Sequence, residues 1–328
     1  MFVMLLAICF GAIFAVQTAI NAQLRKFVVS PFLASMISFA VGTIFLTITI
    51  FISGSPLDIP IDLFFSQPIF IWLGGIGGAI ALTANILLFP KLGSVQTSIM
   101  PILGMTLMSM LIDNYGWFNS IPYPFGWNRI FGVLLVLTGV FLAIHDKNNE
   151  HQFSKTNKKN ILNQWIWRLV GIMAGMLLAI QIAINGQLGK VLHSSSHAAL
   201  ISFFVGTITL LIIVGIIDRS YKNIKEPINY SAPWWIWIGG ILGGSYVLIN
   251  VYLVDRIGNG QIVILTLFGQ IIGSLVVGQF GLLNSLKNQV KPIQILGLSV
   301  MIAGVFLSGY FKLFINMFFL IPLSYTGI

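Results

Sequence analysis

Gln17 and Asn21 stand four residues apart inside an apolar run, Phe2 to Ala22, and Gln181 and Asn185 repeat the pair inside a second run near Leu169 to Gln187. Residues four apart share one face of a helix, so each pair presents two carboxamides side by side. A carboxamide offers donors and an acceptor without charge, which suits neutral or zwitterionic solutes better than coupling ions. Polar side chains in hydrocarbon are costly and face a cavity or a neighbouring helix. Two uses therefore compete for these four residues: a solute site, or hydrogen bonds between helices that contribute about 0.6 to 2 kcal/mol each. Asn85, Gln96, Asn250 and Gln261 form a weaker set toward the ends of apolar runs, and Gln270 lies within one. Capping or interface contacts explain this second set at least as well.

Other chemistries are poorly served. Asp58, Asp62, Asp113, Asp146, Glu150, Asp218, Glu226 and Asp255 all fall in connections or near the ends of apolar runs. A proton-coupled carrier commonly uses an embedded titratable group, and no run has a carboxylate at its centre. His193 and His197 have ligand-like spacing, yet only Ser194, Ser195 and Ser196 separate them, and His145 and His151 sit in a polar stretch, so no metal site is expected. No Ser/Lys dyad or Asp pair lies within a run, which argues against an enzyme, and no cofactor is implied. Cys9 is the single cysteine, which excludes a disulfide or CxxC pair within the chain. The glycine runs Gly74-Gly75-Ile76-Gly77-Gly78 and Gly239-Gly240-Ile241-Leu242-Gly243-Gly244 are not phosphate loops, because no Lys-Ser/Thr follows. In apolar helices small residues instead allow close backbone approach.

The elements that must hold these residues are membrane helices. The 328-residue chain is 57% hydrophobic and 8% charged, with mean hydropathy +0.96, whereas soluble domains are about one quarter charged. Apolar runs near Phe2–Ala22, Pro31–Ile52, Ile69–Phe89, Val95–Ile112 and Ile130–Ile144 precede a polar stretch, and five more follow near Leu169–Gln187, Ala198–Ile217, Trp234–Val254, Gln261–Gly281 and Ile293–Phe311. These lengths approach the roughly 20 residues needed to cross a bilayer. The expectation is an all-α integral membrane protein of about ten transmembrane helices. The first run lacks a basic leader and a clear cleavage site, so it is read as a helix, not a signal peptide. Trp72, Trp237, Trp234, Trp235, Trp117 and Trp127 stand near run ends, where an aromatic belt is expected.

The chain repeats itself. Gly11, Ala15, Gln17, Asn21, Gln23, Leu24, Ser38, Phe39, Gly42 and Thr43 recur 164 residues later, and after one inserted residue Trp72, Gly74, Gly75, Gly78, Asn85, Gly93, Gln96, Gly104 and Gly116 recur at an offset of 165. Composition can align leucines and glycines by chance, but not Gln, Asn and Trp in constant register. The expected division is a first five-helix repeat over 1–145, a linker over 146–164, a second repeat over 165–311 and an apolar tail over 312–328.

A unit with an odd number of crossings begins and ends on opposite sides, so its second copy inserts upside down. The net charge of +9 fits this better than it fits nucleic acid binding: 13 basic residues, among them Arg25, Lys26 and Lys91, fall on one face, against Arg129, Lys190, Arg256 and Lys312 on the other. The positive-inside rule then places the linker in the cytoplasm and both termini outside.

The motif Gly-x3-Ala-x-Gln-x3-Asn-x-Gln-Leu in the first helix of each half, followed by Ser-Phe-x2-Gly-Thr, resembles the YdcZ-type branch of the drug/metabolite transporter superfamily. The resemblance covers both halves and implies a fused pair of five-helix units in a bacterial cytoplasmic membrane, acting as an exporter. Related small multidrug exporters use a glutamate in the first helix, and neither first helix here has one. The sequence thus leads to a secondary transporter that exports a small organic metabolite or drug-like solute by alternating access. The alternative is a channel or facilitator for a small neutral solute or ion. Expected partners are the solute and the bilayer, in a monomer with pseudo-two-fold symmetry or a homo-oligomer of it.

Overall fold

The computed structural model describes residues 2–57, 59–120, 122, 126–144, 158–257, 259–285, 287 and 290–309. The predicted tail over 312–328 and most of the predicted linker lie outside the described residues. Among the described residues, nine long helices carry the fold: α1 (Phe2–Val28), α2 (Pro31–Ile52), α3 (Gly74–Tyr115), α4 (Trp127–Ile144), α5 (Lys158–Leu192), α6 (Ser195–Ile213), α7 (Gly239–Ile257), α8 (Asn259–Phe280) and α9 (Pro292–Gly309). The chain is an all-α membrane protein. Among the described residues, six helical segments are long and apolar enough to cross a bilayer, and Ile130–Gly139, Leu265–Phe280 and Pro292–Gly304 are shorter apolar helices.

Local chemistry sets the boundaries, and it does so at matching places in the two halves. Ser30 caps α2 by accepting the Leu33 N–H at 3.0 Å, with Pro31 in the first turn. Ser194 caps α6 by accepting the His197 N–H at 3.4 Å. Gly116 (φ 64°) ends α3 and Gly281 (φ 61°) ends α8, both in the left-handed conformation that glycine adopts without penalty. The third and fourth predicted runs are two arms of α3, broken at Gly93, whose φ of 77° and ψ of 173° interrupt the helix just after Pro90. The sequence places the linker up to residue 164, whereas α5 begins at Lys158. Lys158, Lys159, Leu162 and Gln164 are good helix formers, so the helix extends into the polar stretch at little cost.

The two halves close on each other by exchanged contacts. Gly11 of α1 packs on the Thr266 backbone, while Gly175 of α5 packs on the Pro101 backbone. Gly104 meets Ile172, and Gly269 meets Ile8. Gly139 meets Gly297 and Met301, and Gly304 meets Gly132 and Val136. At the centre, the Phe39 and Phe203 rings stack at 4.7 Å and the Thr43 and Thr207 hydroxyls lie 3.0 Å apart. Each contact and its partner are repeat counterparts, which is the signature of an isologous two-fold interface.

The register of α3 on α5 gives the direction. Moving forward from Gly74 to Gly78 moves the contact back from Asn185 to Gln181, so the first arm of α3 runs antiparallel to α5. That arm runs parallel to α1, because α2 returns between them. Hence α1 and α5 are antiparallel and the repeats are inverted.

Polar connections tie the halves together at both ends. The Asp218 carboxylate accepts hydrogen bonds from the Ser30 and Ser220 hydroxyls, and Asn223 Nδ2 donates to the Val28 carbonyl at 3.0 Å. At the other end, His197 Nε2 donates to the Pro56 carbonyl at 2.8 Å while its Nδ1 pairs with Ser194 Oγ at 2.7 Å. Hydrogen bonds to a charged group contribute about 1.5 to 3 kcal/mol each, so Asp218→Ala is expected to destabilise the protein by about 2 kcal/mol. A thermal melt in mild detergent checks this, and an unchanged midpoint would remove the clamp.

One tryptophan departs from the expected belt. Trp234 and Trp127 are exposed, but Trp72 is 5% exposed and packs on Phe64 at 4.9 Å between ring centres. Phe64 of the short helix Ile61–Ser66 covers it locally, and Leu188, Ala198 and Val251 of the second half complete the cluster around it, contacts that position in the sequence does not reveal.

Candidate functional site

All four amides of the first-choice set are buried: Asn21 is fully inaccessible, and Gln17, Gln181 and Asn185 are each 5% exposed or less. Gln17 and Gln181 come together from opposite halves and line a central cavity of about 30 Å³ with Phe14, Phe39, Phe203 and Tyr246. That volume holds one or two waters. Asn21 and Asn185 lie one turn further along their helices, outside the cavity lining.

The glycine runs are what admit these side chains. A Cβ at Gly78 would overlap the Gln181 amide, and one at Gly74 would overlap Asn185 Oδ1. In the other half, Gly243 and Gly239 make the same room for Gln17 and Asn21. Gly75 and Gly240 do the different job of bringing backbones together, against Ser202 and Ser38. Read from sequence, the glycines serve packing alone. The signal that reading misses is spacing: two glycines four apart on one helix answer two amides four apart on an antiparallel neighbour.

Equivalent groups are used unequally. Ser202 Oγ accepts from Gln181 Nε2 at 3.3 Å and from Asn185 Nδ2 at 3.0 Å. In the first half, Gln17 Oε1, both polar atoms of Asn21 and Ser38 Oγ have no hydrogen-bond partner among the described residues. A buried polar group left unpaired costs about 1 to 3 kcal/mol. In the matching triad of the second half only Asn185 Oδ1 is buried without a partner among the described residues, so one triad is bonded through its serine and the other is not.

The weaker set divides. Asn250 Nδ2 donates to the Tyr246 carbonyl at 2.8 Å, and Gln270 is 2% exposed. Both lie, with Thr266, around the Tyr246 hydroxyl, which makes no well-aligned bond to any of them. Tyr246 also packs its ring on Phe14 at 4.6 Å between centres. The first-half counterparts of Tyr246, Thr266 and Gln270 are Ala81, Pro101 and Met105, so this polar cluster belongs to one repeat only. Asn85 is buried with Oδ1 unpaired among the described residues, Gln96 is half-buried, and the Gln261 side chain lies outside the described residues. Tyr246 and Thr266 are absent from the sequence-derived site, although Tyr246 precedes Asn250 by one helical turn.

A second, larger cavity of about 550 Å³ lies at the end of α1, where Gln23, Arg25 and Lys26 meet Lys91, Gly93 and Asn284.

Inverted helical repeats that close on buried, uncharged polar groups are the plan on which many secondary membrane transporters are built. Residues 2–142 and 166–307 match the family described as "Putative inner membrane exporter, YdcZ", and the chain belongs to that family. No curated protein matches the sequence. A solved structure described as "Crystal structure of protein" is similar, with 12% identity, a TM-score of 0.60 and coverage of 94% of this chain and 96% of the other. At that identity the likeness bears on the fold alone.

Proposed function

We propose that the protein exports a small organic solute by alternating access, with the Gln17/Gln181 cavity and the adjoining Asn21 and Asn185 as the binding site. The observation that carries this reading is the unequal use of equal triads. In an inverted repeat, the outward-open state is the inward-open state with the two halves exchanging roles. The bonded Gln181–Asn185–Ser202 triad marks the half that is closed, and the open Gln17–Asn21–Ser38 triad marks the half that is poised to rearrange. Exchange of these two states moves access from one end to the other. Tyr246 adds a polar side chain to one side of the cavity, with Asn250 and Gln270 around its hydroxyl behind the lining, so the site can distinguish the two ends of an unsymmetrical solute. At about 30 Å³ the cavity has room for one or two waters, so taking an organic solute requires the two halves to move apart around it.

In this reading the end that carries Arg25, Lys26 and Lys91 faces the cytoplasm, as does the linker, and the termini are external. Flux across a panel of metabolites in proteoliposomes tests the mechanism. The expected result is saturable transport of at least one solute. Unsaturable flux with single-channel openings would sink the carrier. Orientation is read independently, by labelling a Lys91→Cys variant in a Cys9→Ser background: label entering from outside intact cells would reverse it.

A further inference from the structure

We propose that the cavity at the end of α1 is a binding site for an anionic group, a carboxylate or a phosphate. Its wall brings together Arg25 and Lys26 from α1, Lys91 and Gly93 from the break in α3, and Asn284 and Ser285 from the connection after α8. These connections are remote in sequence, and a charge bias of the face as a whole would not require them to share one hollow. Among the described lining residues none is acidic, so three cations share a concave site in which the field is focused. The volume, about 550 Å³, is that of a small-molecule pocket.

The basic groups are differently placed to bind. Arg25 is half-buried and donates from Nη1 to the Ile86 carbonyl at 3.3 Å, which steadies the guanidinium and leaves its other donors available. Lys26 and Lys91 are exposed, and the Lys91 ammonium sits 5.9 Å from the Trp167 ring centre. Gln23 is turned away from ligand duty, since its Nε2 donates to the Asn284 carbonyl at 3.1 Å. The second arm of α3 starts beside Gly93 with the positive end of its dipole, while α1 and the first arm of α3 end at the same wall with their negative ends, so the attraction for an anion rests on the three cations.

The repeat supplies a comparison. The counterparts of Arg25, Lys26, Pro90 and Lys91 are Gly189, Lys190, Asp255 and Arg256. Two cations and a carboxylate therefore stand where the first half has three cations. The duplication retained strong attraction for anions at one end only. Joined to the exporter reading, on which this role rests, the site collects an anionic solute before it passes to the amides around Gln17 and Gln181. The same chemistry also fits the headgroup of an anionic lipid.

Binding is measured on the purified full chain in uncharged detergent, by the shift in thermal midpoint on titration with sodium phosphate or sodium succinate against sodium chloride of matched ionic strength. A parallel arm titrates phosphatidylglycerol against phosphatidylcholine. The expected result is a saturable rise with phosphate or succinate that needs at least about tenfold more anion in a Lys26→Gln/Lys91→Gln variant, since removing a charge-assisted hydrogen bond weakens binding by about tenfold or more. A saturable rise with phosphatidylglycerol alone, weakened by the same substitutions, assigns the site to a lipid headgroup. No saturable shift in either arm, or a shift the double variant leaves intact, overturns the proposal. Asn21→Ala is expected to keep the anion shift, so loss of transport with the shift intact separates failure of the central site from failure of this one.

Discussion

Leucine at Gly75, or at its counterpart Gly240, prevents the two repeats from closing, and the expected result is loss of monodisperse protein in detergent. A Cβ at Gly75 would overlap the Ser202 carbonyl oxygen and meet the Gly206 nitrogen; one at Gly240 would overlap the Ser38 carbonyl and meet the Gly42 nitrogen. The obstructing atoms are backbone of a packed helix and cannot swing aside as a side-chain tip does. Association of helices in lipid depends on such close packing, because apolar surface has nothing to gain by leaving the hydrocarbon. Overpacking costs about 1 to 3 kcal/mol where neighbours can shift, and more where they are backbone. Both variants are therefore expected to destabilise the protein by about 3 kcal/mol or more, and nearly equally, as the two-fold relation requires. Gly77→Ala is the control: its Cβ comes no closer than 3.4 Å to the Leu177 carbonyl oxygen, and its melting midpoint is expected to stay near the parent's. A Gly75→Leu protein that elutes and melts like the parent would contradict the packing described.

Asn21→Ala and Asn185→Ala are expected to separate stability from transport. Asn185 donates to Ser202 Oγ, so its replacement removes a buried hydrogen bond and lowers stability by about 1 kcal/mol. Asn21 has no partner among the described residues, so its replacement leaves stability unchanged or raises it by removing unpaired buried groups. If these groups bind solute in another state of the cycle, flux falls in both variants, by about tenfold for each hydrogen bond of about 1.4 kcal/mol removed from the transition state. Melting curves and proteoliposome flux measured on the same preparations decide the matter. Normal flux in both variants would remove these amides from the site and leave them as interhelical contacts.

Much of this architecture is legible in the order of the residues. The duplication is readable because Gln, Asn and Trp recur in a constant register, and the inversion expected from it agrees with the antiparallel run of the first arm of α3 against α5. Gln17 and Gln181 line one cavity, as their places on first helices related by the repeat imply. Trp72 has no such signal, because its cover includes Leu188, Ala198 and Val251 from the other half. Tyr246 escapes a reading keyed to symmetry, since it stands in only one repeat and its counterpart is Ala81. The role of Gly74, Gly78, Gly239 and Gly243 as seats for amides requires knowing which helix faces which.

The sequence by itself determined the membrane environment, the helical class and the duplicated plan, because hydropathy, helix length and repeat register are properties of the chain read in order. Only the tertiary structure decided how equal residues are used. Ser202 accepts hydrogen bonds from two amides while Ser38 accepts none, and Arg25, Lys26 and Lys91 share a hollow that their counterparts do not reproduce in charge. The physical reason is that hydrogen bonding and electrostatic focusing depend on distances across helix interfaces. A repeat in sequence constrains those distances to be similar in the two halves without making them identical.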